Sequence, residues 1–172
     1  MSWMSASEGF ALGHVVGDLD DGDAMINRAL ALNPNWALAW LYSGWVRVWR
    51  GEPEEAIERV ARAMRLSPHD PRVFNMQGAI AYAHFIAGRY AEALSWAEMA
   101  LREQPDFATA IRILAASCAL TGRQEQAEKA MAHLRELDPA FRISKLKQII
   151  PLRRPDDFAR MAEGLRKAGL PE

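Results

Sequence analysis

Along residues 53–66 the apolar side chains Ala56, Ile57, Val60, Ala61 and Met64 fall at i, i+1, i+4, i+5 and i+8, with charged residues between them. That spacing gathers them on one face of a helix. Ala93, Leu94, Ala97, Ala100 and Leu101 show the same stripe further along. Near the end, Phe158, Met161, Ala162 and Leu165 follow i, i+3, i+4, i+7. Asp156 and Asp157 precede that stripe and Arg166 and Lys167 close it, an order that suits the helix dipole. No stretch alternates apolar and polar residues with β-branched enrichment, so no sheet is predicted. The chain reads as all-α.

The helices recur in phase. Pro34, Pro68, Pro105 and Pro139 stand 34, 37 and 34 residues apart, and Gly17, Gly51, Gly88 and Gly122 each lie 17 residues before one of them. Ala56, Ala93 and Ala127 follow the last three glycines by five residues. A glycine allows the left-handed backbone that ends a helix and reverses the chain. An alanine lets two antiparallel helix axes approach, and a proline stops a helix. These markers divide a single domain, 1–172, into an atypical unit at 3–36, units at 37–70, 71–107 and 108–141, and a capping segment at 142–172. The unit at 71–107 carries three extra residues before Gly88. They predict a first helix longer by nearly one turn, through Tyr82–Ala87. Asp70 is placed to cap that helix, with Pro71 at its first position, and Asp106 to cap the next inner helix.

The markers resemble the tetratricopeptide repeat. Trp40, Gly44, Gly51, Ala56, Ala63 and Pro68 fall at the family's tryptophan, small, glycine, alanine and proline positions, and Phe74, Gly78, Gly88, Tyr90, Ala93, Ala100 and Pro105 repeat the set. The resemblance implies a right-handed superhelix of antiparallel helix pairs, about three to four units long, whose first helices line a concave face. Over residues 24–172 the chain is also similar to the C-terminal repeat region of proteobacterial class III adenylate/guanylate cyclases. Leu134–Lys145, Pro151–Phe158 and Glu163–Glu172 carry that likeness. It implies a regulatory or assembly region of a bacterial signalling protein, and it transfers no catalytic residue.

The inward positions of the first helices are the candidate site: Leu41, Trp45, Val48 and Trp49, then Arg72, Asn75, Ala79 and Tyr82, then Thr109, Arg112 and Ala116. Tryptophan, tyrosine and arginine dominate interface energetics. The set Leu41, Trp45, Trp49, Arg72, Asn75, Tyr82 and Arg112 is therefore read as a binding groove. The bland alternative packs Trp45 and Trp49 against the first unit or the lengthened helix. A chaperone-type carboxylate clamp, which uses lysines and asparagines on these inward positions, is not expected, since Trp45, Ala79 and Ala116 occupy one of them.

Composition changes this picture little. The formal net charge is −1. Residues 1–35 hold Arg28 against five acids, and residues 140–172 hold eight bases against four acids. Cys118 is the single cysteine, which suits a reducing cytoplasm. His14, His69, His84 and His133 lie in different units, and no metal-ligand spacing, phosphate loop or nucleophile–base pair is found. No cofactor, nucleic acid or membrane insertion is expected. The expected partner is a protein or peptide, with self-association included. The competing expectation is a small-molecule sensor coupled to an output domain.

Overall fold

The structure, a computed structural model, describes residues 18–172. The first helix expected for the unit at 3–36, and Gly17, lie outside the described residues. Within them the chain is all α. Seven helices carry the repeats: α1 (Leu19–Leu32), α2 (Ala37–Arg50), α3 (Pro53–Leu66), α4 (Val73–Ile86), α5 (Tyr90–Glu103), α6 (Ala108–Leu120) and α7 (Gln124–Leu137). A 3-10 turn at Ile143–Lys145, a short α8 (Leu146–Ile149) and α9 (Pro155–Lys167) follow.

The pairs α2/α3, α4/α5 and α6/α7 stack into a superhelix, with α2, α4 and α6 in contact along one side. Each first helix ends in the same way. Gly51, Gly88 and Gly122 have φ of 78°, 76° and 77°. At the first of these, Gly51 N–H donates to Val48 C=O at 3.0 Å and Glu52 N–H to Arg47 C=O at 2.9 Å, the two reverse bonds of a left-handed helix stop. Ala56, Ala93 and Ala127 are fully buried where the paired helices cross. Gly44 serves the same close approach, because a Cβ there would run into Val60, whereas a Cβ on Gly78 would run into Phe107, just ahead of α6.

Expectations at α4 and at α6 are corrected. The α-helix of the 71–107 unit is no longer than its neighbour, since α4 and α2 each have 14 residues. Pro71 and Arg72 form a tight turn ahead of α4, and Ala87 sits beyond its end. Asp70 explains that turn. Its carboxylate accepts from Arg72 N–H at 2.9 Å, and Arg72 Nε donates back at 2.8 Å, so the entry is wound tighter than an α-helix. Asp106 does not cap α6; the residue before that helix is Phe107, and Asp106 meets His133 Nε2 at 3.0 Å.

The segment after Pro139 reaches well past the last repeat. Arg153 N–H donates to Trp49 C=O at 2.8 Å, Arg154 Nη1 to Gly51 C=O at 3.3 Å, and Arg160 Nη1 to Ile86 C=O at 2.7 Å. Arg154 and Arg160 thus set guanidinium groups on carbonyls at the C-terminal ends of α2 and α4, where the helix dipole favours positive charge, while Arg153 reaches α2 through its main chain. Further on, α9 packs against α6, and Gly164 lies so close to Ala116 that a Cβ would fall 2.7 Å from the alanine Cβ.

Candidate functional site

The inner helices converge on an aromatic cluster. Trp45 and Trp49, one turn apart on α2, stack at 6.1 Å between ring centroids. Tyr82, from α4, meets Trp45 edge-on at 6.1 Å. Trp45 Nε1 donates to Asn75 Oδ1 at 2.6 Å, which fixes both side chains and leaves the Asn75 amide nitrogen to donate elsewhere. Burial limits Trp45, Trp49 and Tyr82 to 6%, 3% and 2% exposure. Ile149, Ile150 and Pro151 supply the cover on one side, so the inner face is closed by a later part of the same chain.

Between that cover and the repeats lies a half-open cavity of about 210 Å³. Trp45, Trp49 and Phe107 give it apolar walls; Asn75, Tyr82, Thr109 and Arg112 give it polar atoms. Arg112 Nη2 donates to Thr109 Oγ1 at 3.0 Å, while Arg112 Nε is out of reach of solvent and has no partner. The Tyr82 hydroxyl is also buried without a partner. Burial pushes the Tyr82 phenol above its ordinary range and pulls Arg112 below its own.

Arg47 provides the contrast. Buried on α2, it holds Asp23 of α1 at 2.7 Å, Glu52 at 2.9 Å and Glu55 at 3.5 Å. Burial alone would lower its pKa; the bond to Glu52 and the charges of Asp23 and Glu55 outweigh that and raise it. On the edge of the molecule Asp20 takes Arg50 at 2.6 Å and Arg153 at 3.1 Å, tying α1 to the tail.

The sequence profile of the tetratricopeptide repeat matches residues 16–71 and 45–106, together more than half of the chain. The chain belongs to the tetratricopeptide repeat family. Solved structures agree on the fold. PilW, described as a widely conserved type IV pilus biogenesis factor, superposes with a TM-score of 0.71 at 18% identity, over 96% of this chain and 75% of its own. The tetratricopeptide repeat protein TTC0263 of Thermus thermophilus gives 0.71 at 21% identity, over 98% and 92%. MamA gives 0.61 at 20%, over 88% and 87%. No curated protein matches the sequence.

Of the seven residues picked out in the sequence, Trp45, Trp49, Asn75, Tyr82 and Arg112 line this cavity. Leu41 does not; it is 1% exposed in the core. Arg72 faces outward and binds Asp70. The sequence reading missed Phe107, Ile149, Ile150 and Pro151 as walls. Phe107 precedes its helix and so falls outside the inward stripe of α6. For Ile149 and Ile150, nothing local told which surface they cover. Among the described residues no cluster of three or more histidines, cysteines or acids could hold a metal, and no helix is long and apolar enough to cross a membrane. Cys118 is buried, and that burial pushes its thiol up, away from reactivity.

Proposed function

We propose that this chain is a non-catalytic protein–protein interaction module whose aromatic inner face is held by its own C-terminal segment, and that a protein segment of like chemistry competes for that face. The supporting observation is the seat of residues 149–154. An extended stretch lies on Trp45 and Trp49 and bonds main chain to main chain, Arg153 N–H to Trp49 C=O at 2.8 Å, as a bound peptide does. The matching occupant is an apolar, basic segment leading into an amphipathic helix. A second copy of the chain offers one, which makes self-association part of the reading. The likeness of the tail to the C-terminal regions of cyclase-type proteins supports a regulatory or assembly role beside such a signalling domain, in the cytoplasm.

The test loosens the tail. In the double variant Arg153→Glu/Arg160→Glu, a labelled peptide of residues 142–172 should bind severalfold more tightly than to the parent, by fluorescence anisotropy. Light scattering should show a rise in mass with concentration. A variant that keeps its helical circular dichroism, stays monomeric and ignores the peptide would sink the proposal. A second reading, a small-molecule sensor, is favoured by the cavity beneath the tail.

A further inference from the structure

The polar groups that the described residues bring to the cavity are one-sided. Arg112 brings a cation and Thr109 a hydroxyl, while the Tyr82 hydroxyl is sealed from solvent. Asn75 has its oxygen committed to Trp45, so its amide nitrogen is the free end. Among the described residues no carboxylate pairs with Arg112; its one hydrogen bond goes to Thr109. Buried cations are normally paired, because an uncompensated charge away from water is costly. On α2 the same chain surrounds Arg47 with three acids. Leaving Arg112 without any described acid, on the wall of a cavity, marks a place where a negative charge is received rather than supplied.

The walls say what carries that charge. Stacked Trp45 and Trp49, with Phe107 and the Ile149–Pro151 cover, present flat apolar surface. A single guanidinium fits a carboxylate in a fork and balances one charge, not two. Size decides between a free acid and a peptide end. The space of about 210 Å³ lies below the ~300–1,000 Å³ of drug-sized sites, which suits a small acid rather than a chain.

We propose that this cavity is a binding site for a small monocarboxylic acid with a flat apolar body, its carboxylate on Arg112 and its ring against Trp45, Trp49 and Phe107. This deepens the sensor reading. It does not depend on release of the tail, which forms part of the wall. Because Pro151 and Arg153 belong to one short stretch, an acid bound against Ile149–Pro151 also fixes the segment that lies on α2.

The experiment uses the full chain with phenylacetate as probe and phenylacetamide as its uncharged isostere. Phenylacetate should raise the melting temperature with concentration and quench tryptophan fluorescence. Its affinity by calorimetry should exceed that of the amide by at least about tenfold, the worth of one charge-assisted hydrogen bond. Inorganic phosphate should not compete. Arg112→Met should abolish the preference for the acid while keeping the fold. Equal affinity for acid and amide, no binding of either at millimolar concentration, or undiminished acid binding by Arg112→Met would each overturn the proposal. The acid–amide comparison needs no variant, so it stands even if the substitution disturbs folding. Its outcome is also separate from the tail-exchange test, since the acid binds with the tail in place.

Discussion

Arg47 and Arg112 sit on inner helices two repeats apart, both with nitrogen atoms drawn out of water, and their surroundings could hardly differ more. Arg47 is ringed by Asp23, Glu52 and Glu55 and joins α1, α2 and α3. Arg112 has a threonine, an aromatic face at 6.0 Å in Phe141, and an open cavity. The repeat dictates that both positions exist, and it does not dictate what they do. Structure is built where countercharges come from the neighbouring helix. A site is left where they do not.

The largest test of that contrast is Arg47→Met. It leaves Asp23, whose side chain is 10% exposed, with Arg50 alone at 3.1 Å, and should cost about 2–3 kcal/mol in urea unfolding, below the ~3–5 kcal/mol of a fully stranded charge. Adding Asp23→Asn should recover part of the loss, because the half-compensated charge goes with it. Next come two glycines of equal conformation. Gly88→Ala meets open space, so only the left-handed backbone opposes it, at about 1 kcal/mol. Gly51→Ala puts a methyl into Arg154 and toward Asp157, and should cost about 1–3 kcal/mol more while loosening the tail. Hydrogen exchange at Arg153 would report that loosening, and equal losses at the two glycines would mean the tail does not press on Gly51. Arg112→Met comes third, with the opposite sign. Removing an uncompensated cation should leave stability unchanged or raise it by about 1 kcal/mol. A loss like that at Arg47 would show Arg112 to be structural.

The smallest effect is a pH dependence at the edge of the tail. The hydrogen bond from Arg153, then its charge and those of Arg50, hold the exposed Asp20 carboxyl below its ordinary 3.8. A depressed acid contributes stability above its unfolded value and loses it as pH falls through the folded one. The Asp20–Arg153 tie should therefore weaken only below about pH 4. Asp157, buried beside Arg154, runs the other way: burial raises it, so acid relieves its cost. Asp20→Asn should remove the first trend and keep the second, read as tail exchange rate against pH.

The repeat was legible because its causes are local. A glycine that must turn left, an alanine under a crossing helix and a proline after a stop each act within a few residues, and Gly51, Ala56 and Pro68 announce one unit unaided. The stripe Trp45, Trp49 and Asn75, Tyr82 was legible for the same reason, as helical spacing fixes a shared face. Leu41 belongs to that stripe by count, yet its position nearer the start of α2 turns it into the core. Arg72 was lost to a neighbour two residues away, because Asp70 tightened the turn. The tail was not legible. Asp20 and Arg153 lie 133 residues apart, and no periodicity encodes a meeting over that distance. The acidic start and basic end showed in the sequence only as an imbalance of charge, and part of that imbalance is two halves of one contact.

A stack of repeats touching only its neighbours behaves as a one-dimensional chain, able to fray from either end unit by unit. The hydrogen bonds of Arg153, Arg154 and Arg160 give this stack a return strand, from its last residues to its first helices. Such a return raises contact order, so its formation waits on closing a long loop. Once formed, it couples distant units that would otherwise melt independently. The array is then better described as a closed circuit than as a line, with loss of the tail as the step that restores independence to its parts.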